Sequence, residues 1–215
     1  MMEKSLRDIE FEVVDGVLNC SWNQLTSLEG CPGNVIELNF AVNQINSLEG
    51  CPDSVTELLC GHNHITSLKG CPENVITLYC WSNQLTSLKG CPDSVTELNC
   101  SWNNITSLKG CPESVKKLDC NSNNLISLEG LSKSVIELRC SHNPLNSTYA
   151  NKSLKEIHFI NRVKQFRKGM IIVDKIILNH NANNIQRVWD DYWYKPNEHG
   201  ESRVAKRQYT KLFSD

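Results

Sequence analysis

The sequence predicts a solenoid of the α+β class. It is a right-handed coil of 20-residue turns, with a parallel concave β-sheet, an extended (non-helical) convex side and a C-terminal helical cap. Three observations predict it. Asparagine recurs every 20 residues, at Asn23, Asn43, Asn63, Asn83, Asn103, Asn123 and Asn143. Leucine recurs at that interval from Leu38 to Leu138, and glycine from Gly30 to Gly130. The apolar pattern alternates before each asparagine and changes to helical spacing after residue 161.

The first element is a cap. In IEFEVVDG, Ile9, Phe11 and Val13 alternate with Glu10 and Glu12, which predicts a strand closed by an Asp15-Gly16 turn. It is expected to pair beside the first repeat strand. The repeats follow. Read from Val35, one unit is VIELNFAVNQI, whose apolar-polar alternation predicts a short strand with one face inward. No unit can bury its apolar face alone, so successive units stack. The asparagine stands at the bend leaving the strand, where its amide can pair backbone groups of both polarities. The serine column from Ser27 to Ser147 is expected to do similar work one corner later. The return segment, as in SLKGCPDS, is too short for a helix; Gly supplies the bend and Pro fixes φ.

The seventh repeat strand is SVIELRC, Ser134–Cys140. SLKEIHF, Ser153–Phe159, matches it position for position and is expected to be an eighth strand after the linker NSTYANK. Residues 1–160 thus form the solenoid domain with its N-terminal β cap and about eight strands. Residues 161–215 form a helical C-terminal cap and basic tail. Val163, Phe166, Met170, Val173 and Ile177 are spaced as one apolar helix face, as are Ile185, Val188, Trp189, Tyr192 and Trp193, with Pro196 as the stop.

Eleven cysteines occupy two columns of the repeat. One holds Cys20, Cys60, Cys80, Cys100, Cys120 and Cys140, with Phe40 and Phe159 in the remaining places. The other holds Cys31, Cys51, Cys71, Cys91 and Cys111, with Leu131. A position that exchanges Cys for Phe or Leu is a core position, so the columns are expected to be reduced thiols acting as small apolar filler. Adjacent turns, ~4.8 Å apart, leave a disulfide within reach in distance, but side chains stacked in a ladder meet its torsional demand poorly. The spacings contain no C-x-x-C, and no metal is expected. His62, His64 and His142 lack a third close ligand, and no cofactor is implied.

The composition, 40% hydrophobic and 21% charged, is that of a globular protein. No apolar run approaches the ~20 residues of a membrane span, and the N-terminus has no secretory h-region, so a cytoplasmic location is expected and no membrane partner. Residues 1–150 carry 9 basic against 17 acidic side chains, and residues 151–215 carry 13 against 7.

On the expected concave face, Trp22, Leu59, His62, Tyr79, Trp81, Trp102 and His142 lie beside an acidic rail of Glu37, Glu57, Glu97 and Glu137. Exposed aromatics are enriched at protein-binding hot spots, and these seven are the candidate partner-binding residues. No catalytic constellation is present: His158, His180 and His199 have no evident nucleophile.

The unit NQLTSLKGCPDSVTELNC fits the pattern L-x-x-L-x-L-x-x-N-x-L and resembles the short 20-residue leucine-rich repeats of bacterial YopM/IpaH-type effectors. The Cys-rich version, with WYKPNEHGESR near the end, is similar to leucine-rich-repeat proteins encoded by giant DNA viruses of amoebae. IpaH-type proteins add a ubiquitin ligase with a catalytic Cys; the last cysteine here, Cys140, is inside the solenoid, so that activity does not carry over. The resemblance implies a non-enzymatic protein–protein interaction scaffold, in a host cytoplasm if the chain is viral. The alternative is an adaptor whose basic tail, RVAKRQYTKLF, binds nucleic acid or an acidic partner. The partner's identity and the oligomeric state are not encoded in any motif.

Overall fold

The structure, a computed structural model, describes residues 3–169 and 171–172. Met170, Val173 and Ile177, the second expected helix, Pro196, the basic tail, His180 and His199 lie outside the described residues.

Eight strands form one sheet in chain order. β1 (Val13–Val14) pairs antiparallel with β2 (Val17–Asn19), across a turn in which Asp15 and Gly16 have φ of 51° and 81°. Two successive residues in the left-handed region are what a tight two-residue hairpin of this twist requires, and Asp-Gly adopts it readily. From there every pairing is parallel, over β3 (Glu37–Asn39), β4 (Glu57–Leu59), β5 (Thr77–Tyr79), β6 (Glu97–Asn99), β7 (Lys117–Asp119) and β8 (Glu137–Arg139). Register advances by 20 residues per strand, as in Leu38↔Leu58.

Each turn points the same five positions into one continuous core, exemplified by Val75, Leu78, Cys80, Leu85 and Leu88, all fully buried. The return side contains turns and no helix. Leu-x-Gly-Cys closes a β-turn in which Cys71 N–H donates to Leu68 O at 3.1 Å. The six glycines at the third position of these turns have φ of 87–92°. A Cβ on Gly90 would also lie 3.1 Å from the backbone of Leu68 and Lys69 in the preceding turn, so both conformation and stacking require glycine there.

The asparagine column is a hydrogen-bond ladder between turns. Asn83 Nδ2 donates to Cys80 O (3.2 Å) in its own turn and to Cys60 O (3.0 Å) in the one before, while its Oδ1 accepts from Ile65 N–H (2.9 Å). Asn43, Asn63, Asn103, Asn123 and Asn143 repeat this pattern. Asn23, with no repeat turn before it, donates to Ser21 O. The serine column is local: Ser27, Ser47, Ser67, Ser107 and Ser127 accept through Oγ from the N–H two residues on.

Both ends differ from the sequence expectation. At the N-terminus a 3-10 turn, Leu6–Asp8, is fixed by Ser5 and Asp8 as a capping box, and Leu6 is fully buried against the first repeat. At the C-terminus the expected eighth repeat strand, Ser153–Phe159, is not a strand. Residues 154–169 are helical. The physical reason is in SLKE: Ser153 and Glu156 form a capping box, with Ser153 N–H and Oγ each donating to Glu156 Oε2 at 2.8 Å. Leu154, Ile157 and Asn161 then fall on one helix face, with Ile157 and Asn161 buried. Phe159, expected to continue the inward cysteine column, is exposed. The linker does the plugging: Tyr149 is buried and donates to Asn161 Oδ1 (2.8 Å), and Asn161 Nδ2 donates to Leu128 O (2.9 Å). Met1–Asn161 pack as one unit. Among the described residues no helix is long and apolar enough to cross a membrane.

Candidate functional site

The odd-numbered strand residues project from the solvent face of the sheet, and the residues at the following bend flank them. That bend sets the candidate site's geometry. Trp22, Val42, His62, Ser82, Trp102, Ser122 and His142 all adopt left-handed backbone, φ 52–62°. Each stands immediately before a ladder asparagine, so the hydrogen-bonded asparagine column over-determines a conformation that non-glycine residues otherwise avoid. Trp22 and Trp102 are 77% and 66% exposed. They are four turns apart, about 19 Å at strand spacing. His62 and His142 are exposed in the same column.

Between the two tryptophans lies a tighter group. Leu59 and Tyr79 are register partners on β4 and β5 and are half-buried. Trp81 lies over Gly61: a Cβ added to Gly61 would come within 2.5 Å of the indole. Its ring also meets His62 edge-on, with centroids 4.5 Å apart at 74°. His62 Nδ1 is 3.1 Å from Ser82 Oγ. Leu59, His62, Tyr79 and Trp81 therefore form one patch, whereas Trp22, Trp102 and His142 stand apart along the bend. Trp81 has a packing role that Trp22 and Trp102 do not.

The acidic rail divides in two. Tyr79 Oη donates to Glu97 Oε1 at 2.6 Å, and Lys117 Nζ is 3.2 Å from Glu97 Oε2. These bonds hold the Glu97 carboxyl below its usual range, and the same bond pushes the Tyr79 phenol up to about 12. This group, with Asn99, Asp119, Glu137 and Arg139, lines a concavity of about 360 Å³. Glu37 and Glu57 are register neighbours with no cation beside them among the described residues. Partial burial, and then the charges of Glu37 and Glu97, raise Glu57 above the ordinary carboxylate range.

All eleven cysteines are free thiols. Cys20, Cys60, Cys80, Cys100 and Cys120 are fully buried, as core positions should be. Burial pushes Cys31 up to about 11 and Cys20, Cys71 and Cys111 up to about 12, and raises the others as well. Such a shift favours the thiol over the thiolate, the nucleophilic form. Among the described residues no group of three His, Cys, Asp or Glu side chains is placed to hold a metal ion. His158 Nε2 is 3.0 Å from Val135 O, a contact between the C-terminal helix and the last turn.

Sequence reasoning missed three of these features. The left-handed column has no compositional mark, because Trp, Val, His and Ser all occupy it. The Trp81 seat was visible as Gly61 beside the bulkiest residue of its column. In the Tyr79–Glu97–Lys117 chain, Glu97 and Lys117 are register partners one period apart, but the Tyr79–Glu97 step runs diagonally between strands and leaves no linear motif.

No protein-family model and no curated protein matches the chain. By structure, 22 chains match. One is YopM from Yersinia enterocolitica WA-314, 32% identical with TM-score 0.52, matched over 57% of this chain and 27% of that one. Another is a Shigella effector LRR domain, 28% identical with TM-score 0.55, over 61% of this chain and 60% of that one. This chain thus spans about a quarter of the YopM chain and three-fifths of the Shigella one. The matches and the 20-residue turns identify a leucine-rich-repeat solenoid resembling those two.

Proposed function

We propose that this leucine-rich-repeat protein is a non-enzymatic scaffold that binds a partner protein on the solvent face of its sheet. The fold supports protein interaction in general; the face and the chemistry of the partner are our inference. Trp22 and Trp102 are the outer anchors. The Leu59–His62–Tyr79–Trp81 patch is the apolar floor between them. The Glu37–Glu57 pair receives a lysine or arginine of the partner.

The observation that carries this is the exposure of two tryptophans, 77% and 66%, on one rigid column. Large, stiff side chains held in one conformation lose little entropy on binding, which is why such residues dominate interface energetics. Glu57 adds a polarity: a carboxylate crowded by two others gains most from a cation.

The test is affinity capture from a lysate, comparing the wild type with Trp22→Ala/Trp102→Ala. Trp81→Ala belongs in a separate arm, because it also uncovers Gly61. We expect the double variant to retain its fold and to lose captured protein at least tenfold (about 1.4 kcal/mol). Unchanged capture would overturn the proposal. Capture lost only on deleting residues 196–215, or on adding nuclease, would favour the tail as the binding element.

A further inference from the structure

In every repeat turn but the last, the strand region binds the turn that follows through its even-numbered residues. Cys20 N–H donates to Asn39 O, and Cys120 N–H to Arg139 O, each at 2.8 Å. The carbonyl of Lys116 accepts from Ile136 N–H (2.8 Å) and Glu137 N–H (3.1 Å), as those of Ile36, Thr56, Ile76 and Thr96 do in their turns. The leucine between them sits in the parallel ladder. β8 ends the sheet. Among the described residues no strand pairs with its outer side, so the outward groups of Ile136, Leu138 and Cys140 have no successor. The helix that follows does not replace one. Its contacts go to Val135 O and Leu128 O, over the core. At the other end of the sheet, by contrast, β1 closes the edge with a hairpin.

We infer that β8 is a self-pairing edge, through which two copies of this chain join by antiparallel pairing about a dyad at Leu138. Such pairing sets residue 138 opposite itself and residue 137 opposite residue 139. Leu138 turns its N–H and C=O outward, so the central pair is the hydrogen-bonded kind. Cys140 N–H of each copy then donates to Ile136 O of the other. The flanking 137–139 pairs are of the non-hydrogen-bonded kind, about 4.5 Å between Cα atoms, where side chains approach most closely.

The charges fit this arrangement. Glu137 of each copy meets Arg139 of the other, twice, on the solvent face. Opposite charges flank the leucine in two of the described strands, β7 (Lys-Leu-Asp) and β8 (Glu-Leu-Arg), and of the two only β8 lies at the end of the sheet. Within the chain Arg139 has a loose partner: Asp119 is 3.9 Å away and the Arg139 side chain is 79% exposed. Ile136, 68% exposed beside the edge, gains cover on pairing. An unprotected edge carrying an exposed β-branched side chain is a template for another strand, and opposite charges directly across it select a second β8.

The test is the mass of the full chain in solution, by sedimentation equilibrium over a wide concentration range. We expect it to rise from 24.4 kDa toward twice that value. Arg139→Glu and Glu137→Arg each place like charges across the dyad and should remain monomeric, while an equimolar mixture of the two variants should dimerise. Circular dichroism checks that both variants fold. In the wild type, amide exchange at Leu138 and Cys140 should slow as concentration rises. A monomer at every concentration overturns the inference, as does a dimer indifferent to both charge changes. Protection of those two amides that does not depend on concentration overturns it as well, and shows instead that residues 173–215 cover the edge.

Discussion

At the scale of single residues, each ladder asparagine ties its own turn to the one before it, as Asn83 does to Cys60 O and Ile65 N–H. Asn83→Ala would leave Ile65 N–H without its side-chain partner, while Cys60 O keeps Asn63 and Cys80 O keeps Asn103. An unpaired buried group costs about 1–3 kcal/mol, so a loss of about that size in denaturant unfolding is expected. The left-handed column makes the opposite prediction. Val42, a β-branched residue at φ 58°, is held where its side chain is least tolerated. Val42→Asn should raise stability by up to about 1 kcal/mol, read as a higher denaturation midpoint with unchanged slope. The asparagines were legible in the sequence because one residue type serves every turn. The left-handed position was not, since the strain is imposed by the neighbouring asparagine and any side chain can be forced into it.

At the scale of elements, the informative case is Ser153–Phe159. Its apolar positions match those of a repeat strand, and that likeness predicts a strand. Two features outweigh it: the Ser-x-x-Glu box pairs the first free amides of a helix, and Ile157 and Asn161 are buried only in helical register. Periodicity over seven residues does not separate the alternatives; the cap does. The box also has a pH dependence with a definite sign. Bonds from Ser153 hold the Glu156 carboxyl down at about 2, against an unperturbed 4.5. A depressed carboxylate stabilises fully above the unperturbed value and loses that contribution as pH falls from about 4.5 through about 2. Protection of the amides at residues 154–161, taken relative to their intrinsic exchange rate at each pH, should therefore fall across that window, and Glu156→Ala should remove that fall. The parallel strands and the glycine turns were legible in full, because each is set by residues within one 20-residue unit.

At the scale of the whole molecule, two stacked cysteine columns make the interior rich in thiols without making it reactive. Titration of the unfolded protein without reductant should count eleven thiols. In the native protein the half-buried Cys31, Cys51, Cys91, Cys111 and Cys140 should react ahead of the buried six. A count well below eleven would show that some are paired. Exchange of Cys for Phe40 and Leu131 within the columns marked them as core from sequence alone. The face of the sheet is less legible at this scale. Sequence places seven candidate residues in three columns, but only packing separates Trp81, seated on Gly61, from Trp22 and Trp102, which stand clear.

The ladder has a direction. Asn43 pairs Cys20 O and Leu25 N–H, groups that belong to the turn already made. A nascent chain must therefore extend one full turn past any unit before that unit's buried backbone is satisfied. Folding during synthesis is therefore expected to lag the emerging chain by one twenty-residue unit, and the last turn is closed by different means, with Tyr149 holding Asn161 on Leu128 O.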